Sequence, residues 1–108
     1  MSESPTYGIP PKKYQQFKEA YPDLVTAYEE LGARCHKAGP LEKKTRELVK
    51  LAMAIGAGLE GASHAHARAA RSAGATPDEI RHVAILAVTT LGFPSSMRAM
   101  TWVNDTVS

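Results

Sequence analysis

The sequence predicts an all-α protein of about six helices, and three observations carry that prediction. Apolar residues recur at spacings of three and four along most of the chain from Lys12 onward. Helix-breaking residues punctuate those periodic runs at Pro22, at Ala38-Gly39-Pro40, from Gly56 to Gly58, at Gly74 and at Gly92-Phe93-Pro94. No segment shows the strict apolar–polar alternation of a half-exposed strand; the run AILAVTTLGF, which could pass for a buried strand, continues a helical stripe.

Residues 1–11, MSESPTYGIPP, hold three prolines, a glycine and two serines without any apolar period. They read as an extended arm, expected to pack on a neighbouring subunit, ahead of a single helical domain over residues 12–108. A first helix runs from Lys12 toward the break at Pro22. In the second, Leu24, Tyr28, Leu31 and Cys35 share one face, so Cys35 is expected to pack as a small hydrophobe. The third, in LEKKTRELVKLAMAIGAG, sets Leu48, Leu51, Ala52 and Ile55 together and ends in glycines suited to a helix C-terminus. The fourth spans about Leu59 to Ala73, joined to the third by a short Gly-rich link that favours an antiparallel pair.

Gly74 supplies a left-handed stop, after which Thr76-Pro77-Asp78-Glu79 combines an N-cap, a proline at the first helical position and a glutamate at the third. The fifth helix then carries Ile80, Val83, Ala84, Ala87, Val88 and Leu91 on a wide apolar stripe. A sixth is expected to start after Pro94 and to carry Met97, Met100 and Trp102.

Composition narrows the function. At 108 residues the chain has room for one modest core, and 44% hydrophobic with 22% charged residues is ordinary for a globular domain. A formal charge of +2, with basic residues spread along the chain, lacks the clustered footprint that a phosphate backbone demands, so nucleic acid is not an expected partner. No apolar run approaches the roughly 20 residues that cross a bilayer, and the N-terminus has no secretory h-region. A cytoplasmic location is therefore expected, with no membrane partner. Cys35 is the single cysteine, which excludes an intramolecular disulfide or a CxxC motif within this sequence and fits a reducing compartment.

The stretch LEGASHAHARAARSAG, residues 59–74, holds the side chains of greatest chemical interest. Residues two apart on a helix differ by about 200° in direction, so His64 and His66 cannot face the same way. His64 groups with Glu60, Arg68 and Arg71 and is expected to point outward as a solvated histidine. Glu60 and His64 supply only two potential ligands, without an HExxH pattern or a nearby cysteine, so no metal site is expected. His66 shares its face with Leu59, Ala62, Ala69, Ala70 and Ala73 and is expected to point inward. An imidazole among such small neighbours has space beside it for a substrate or a second polar group, and a partly desolvated one suits acid–base work near neutral pH. Its candidate partner is Glu47 of the preceding helix, beside Leu51 and Ala54 at the edge of the apolar face; a surface ion pair with Lys43 or Lys50 is the competing role for that carboxylate.

The run KTRELVKLAMAIGAGLEGASHAHARAARSAGAT, followed by PDEIRHVAILAV, resembles the carboxymuconolactone decarboxylase family, which includes the alkylhydroperoxidase-D-like proteins. The resemblance covers the central half of the chain and implies an all-helical fold assembled as a homotrimer or homohexamer. The peroxidase branch carries a glutamate, eleven residues, CxxC, three residues and a histidine. Aligned on AGAT, the glutamate falls on Glu47 and the histidine on His66, while Leu59 and Ala62 stand where both cysteines would be. Thiol–disulfide chemistry is therefore disfavoured there.

The decarboxylase branch is cofactor-free, and its resemblance implies catalytic roles for His66 as proton donor and Glu47 as the group that orients it. The expected function is decarboxylation or isomerisation of a small carboxylated or lactone substrate, without cofactor. Arg46, Arg68, Arg71, Arg81 and Arg98 all offer a cation for such a carboxylate, and the amides of Gly92 to Ser96 offer a helix start facing an anion. The alternative is a non-catalytic oligomeric member that keeps the fold for binding or assembly. A thiol peroxidase using Cys35 across a subunit interface ranks last.

Overall fold

Six helices follow one another in a computed structural model that describes residues 12–107: α1 (Lys12–Ala20), α2 (Pro22–Lys37), α3 (Lys43–Gly56), α4 (Glu60–Ser72), α5 (Pro77–Thr90) and α6 (Phe93–Val107). The arm expected at residues 1–11 lies outside the described residues. The helices fall into two compact units, one ending at Leu41 with α1 and α2, the other beginning at Glu42 with α3 to α6. No helix among the described residues is long and apolar enough to cross a membrane.

The larger unit is closed by its helix ends. Gly58 (φ 72°) and Gly74 (φ 100°) adopt the left-handed conformation that a side chain disfavours. Each follows a helix whose last carbonyls are then satisfied by the chain turning back: Leu59 N–H donates to Ala54 and Gly58 N–H to Ile55, and Ala75 N–H donates to Ala70 and Gly74 N–H to Arg71. Both are Schellman ends. At the start of α5, Glu79 N–H donates to Thr76 Oγ1 at 3.0 Å while Thr76 N–H donates to the Glu79 carboxylate at 2.9 Å, completing the capping box expected from the sequence.

Within this unit α4 packs on α3, α5 and α6, and α5 packs on α6. The core joins Leu51 and Ile55 of α3, Ala67 and Ala70 of α4, Ile80 and Ala84 of α5, and Ala99 and Val103 of α6, all essentially without exposure. Half of these are alanines, so the helices approach closely with little side-chain volume between them. Ser96 is buried in the same layer, where its hydroxyl donates to the Ala84 carbonyl at 2.7 Å and ties α6 to α5. The apolar stripes shift accordingly. Ala52, Val88, Leu91 and Met97 are exposed, and the buried face of α6 is Ser96, Ala99, Trp102 and Val103. That helix begins at Phe93, before Pro94, because proline fits the first turn, where its missing N–H would have no intrahelical partner.

In the smaller unit α1 and α2 pack together. Tyr14 donates its hydroxyl to Glu29, whose carboxylate also meets Lys18 Nζ at 3.7 Å. The expected burial of the α2 face does not occur: Leu24, Tyr28, Leu31 and Cys35 are all exposed, and Val25 is the buried residue of that helix. A pair of helices this small has only one apolar seam to fill, and Val25 rather than the Leu24–Cys35 stripe is buried. Cys35 is thus a surface thiol and not a packed hydrophobe.

The capping box generates a test. The hydrogen bond from the Thr76 backbone, then the nearby Lys44 ammonium, hold the Glu79 carboxyl below its ordinary value. A carboxyl whose folded pKa is depressed contributes stability above its unfolded pKa and loses it as pH falls through the folded value. Thr76→Ala is expected to cost about 1 kcal/mol in urea unfolding at neutral pH. Glu79→Gln is expected to lower stability at neutral pH and to match the wild type once pH falls below the carboxylate range; a difference that persists unchanged into acid would contradict the assignment.

Candidate functional site

Glu47 belongs to the buried face of α3. It precedes Leu51 by one turn and Ala54 by two, and all three are buried, with Glu47 at 0% exposure. A carboxylate so placed is expensive unless its oxygens are matched by hydrogen bonds or positive charge. On α4 the buried residues are Ser63, Ala67, Ala69 and Ala70; around the helix His66 falls between Ala69 and Ala70, and His64 falls at the far edge beyond Ala67.

The expected division into an inward His66 and an outward His64 shows in what each ring meets, a fully buried carboxylate for His66 and an exposed one for His64. The two side chains keep nearly equal exposure, 20% and 23%. His66 turns toward α3, where Nδ1 lies 2.9 Å from Oε1 of Glu47. His64 turns toward α6, where Nε2 lies 3.2 Å from Oδ2 of Asp105.

The Glu47–His66 contact fixes the chemistry of the ring. With Glu47 ionised its carboxylate can only accept, and Nδ1 then carries the hydrogen and donates it. Nε2 is then the nitrogen left to exchange a proton with a bound molecule, on a side chain that keeps 20% exposure. The competing surface role for Glu47 does not fit a side chain with no exposure.

Leu59, at the N-cap of α4, is exposed and Ala62 is half-buried, so the stretch where a cysteine pair would sit presents hydrocarbon. Ser63 is a feature that the sequence reasoning missed. Its Oγ is buried with no hydrogen-bond partner among the described residues, one turn before His66, and no periodicity argument flags a serine among alanines.

Of the candidate arginines, three have partners inside the larger unit. Arg71 donates to the Ala75 carbonyl at 3.1 Å, and Arg81 donates to Asn104 Oδ1 at 2.9 Å. The Arg98 guanidinium stacks 5.0 Å from the Trp102 ring centre. The helix start considered for anion binding already uses one of its amides, since Ser96 N–H donates to the Gly92 carbonyl. A separate open depression of about 170 Å³ lies between α3 and α5, lined by Ala52, Ile55 and Gly56 with Val83, Leu86 and Leu91, and includes neither Glu47 nor His66.

Comparison with known proteins places this site in context. The chain is 37% identical over 59 residues to an uncharacterized protein of Haemophilus influenzae, an alignment covering 55% of this chain and 52% of that protein. The chain thus spans about half the length of that relative. No solved structure matches it. Residues 22–105, from the start of α2 into the last turn of α6, match the sequence profile of the Carboxymuconolactone decarboxylase family. With that match spanning most of its length and both Glu47 and His66, the chain belongs to the carboxymuconolactone decarboxylase family.

Proposed function

We propose that the chain is a cofactor-independent, decarboxylase-like enzyme acting on a small carboxylated or lactone metabolite, with His66 transferring the proton and Glu47 holding the ring. The observation that carries this reading is the 2.9 Å contact between a fully buried carboxylate and a partly exposed imidazole. In a β,γ-unsaturated lactone acid, the bond from carbon to the carboxylate breaks and CO₂ leaves. The electron pair passes into the conjugated lactone carbonyl as a dienolate, and the His66 imidazolium delivers its Nε2 proton to the terminal carbon. The ring regains a proton from solvent, so each turnover consumes one. The same two residues carry an isomerisation if the proton is taken and returned at different carbons. Glu47 touches no substrate atom in this scheme; it sets the tautomer and stabilises the charged ring.

The antiparallel pairing of α3 and α4 belongs to this proposal. It is supported by the contact between Glu47, in the first half of α3, and His66, past the first turn of α4. So does assembly as a homotrimer or homohexamer, supported by apolar side chains left exposed in each unit: Tyr28 and Leu31 in the smaller, Met53, Leu86 and Phe93 in the larger. The α3–α5 depression favours a second reading, a binding member of the family without turnover, because it is apolar and lies apart from the histidine.

A screen of carboxylic acids and lactones by mass spectrometry separates the readings. Wild type is expected to consume at least one species with release of CO₂ or formation of an isomer. His66→Ala and His66→Gln are expected to slow that turnover by about 10²–10⁴-fold, the span contributed by a positioned general acid. Equal consumption by wild type and both variants would remove His66 from the chemistry, and no consumption across the panel would favour the binding reading.

Self-association has its own test. Sedimentation equilibrium of the full chain is expected to give three or six times the protomer mass, and Leu86→Glu is expected to reduce it. A monomer at micromolar concentration would overturn the assembly.

A further inference from the structure

We propose that Glu60, His64 and Asp105 form a binding site for a divalent transition-metal ion of the zinc class, separate from the Glu47–His66 pair. Glu60 and His64 stand one helical turn apart on α4, and Asp105 comes from the last turns of α6. One ligand atom from each lies within 4.8 Å of the other two. Ligands at about 2.0–2.2 Å from a tetrahedral zinc stand roughly 3.4 Å apart, so the site closes by small rotations. Both carboxylates are on exposed side chains and have the freedom to make them. Asp105 already meets His64 Nε2 at 3.2 Å, so two of the three donors are held together across the α4–α6 seam.

Charge argues the same way. Two carboxylates and a neutral imidazole neutralise a dication, and among the described residues neither carboxylate is paired with a lysine or arginine. The imidazole nitrogen favours zinc and its neighbours in the first transition row over magnesium or calcium, which take all-oxygen shells. With three protein donors, the remaining coordination position stays open to water on the exposed side. The metal would cross-link α4 to α6, and anything that binds only the folded state stabilises it. The sequence pointed away from metal because its ligand count stopped at Glu60 and His64; the third donor lies 41 residues beyond His64 and is delivered by helix packing.

Titration calorimetry of the full chain with zinc chloride, alongside thermal melts with and without the metal, tests the site. One zinc per protomer is expected, with a melting temperature that rises with zinc. His64→Ala and Asp105→Asn are expected to abolish both effects. Glu60→Gln, which changes an exposed residue of the first turn of α4 and leaves the fold intact, is expected to weaken binding by more than the roughly 10–100-fold that loss of an outer-shell partner costs. Variants at other histidines and at the cysteine, His82→Ala on the exposed side of α5, Cys35→Ser and His66→Gln, are expected to bind zinc as wild type does, so the result is independent of the proposed proton transfer. No uptake, uptake only at millimolar metal, or uptake indifferent to His64→Ala and Asp105→Asn would overturn the site.

Discussion

The hydrogen bond between Glu47 and His66 is the constraint on which the larger unit turns. A carboxylate removed from water without compensation costs several kcal/mol, which is a large share of the stability of a domain this size. Glu47 has no exposure, so α3 and α4 are held to an alignment that delivers the His66 imidazole to within 2.9 Å of it. The same contact orients the ring for proton transfer, so one interaction links the packing of two helices to the state of a single nitrogen.

Alanine makes this arrangement possible. Ala67 and Ala70 of α4, Ala84 of α5 and Ala99 of α6 sit at the centre of the core with no exposure, and their small volume lets three helices close on one another. Inserting larger side chains into such a layer costs typically about 1–3 kcal/mol through forced backbone shifts. With the middle of α4 given to small residues, its long polar side chains are displaced to the flanks. His66 meets the carboxylate of α3 and His64 meets the carboxylate of α6. Two histidines separated by one residue thereby serve two different seams of the same unit.

Much of this was legible in the sequence wherever a local interaction decides the outcome. Helix ends are local, so Gly58, Gly74 and the Thr76–Glu79 box could be read from residue type and spacing, and all take the expected form. The Glu47–His66 pairing was legible through the family resemblance rather than through periodicity. Where the outcome depends on which helix lies opposite, reading failed. On α4, where alanine holds five of thirteen positions, the burial of Ser63 carries no sequence signal. On α2 the Leu24–Cys35 stripe is periodic yet exposed, because a period states that a face is apolar without stating what covers it. Asp105 sits in an ordinary polar C-terminal segment, and only tertiary packing brings it to His64.

The orientation of the His66 ring is the point at which the account is most exposed to measurement. Nitrogen-15 NMR of the histidine side chains, at a pH where His66 is neutral, reads which ring nitrogen carries the hydrogen. The account predicts the Nδ1–H tautomer for His66 in the wild type, and loss of that preference in Glu47→Leu. A neutral His66 protonated at Nε2, with the same spectrum in both proteins, would contradict it, because Nδ1 would then carry no hydrogen to donate to an ionised Glu47.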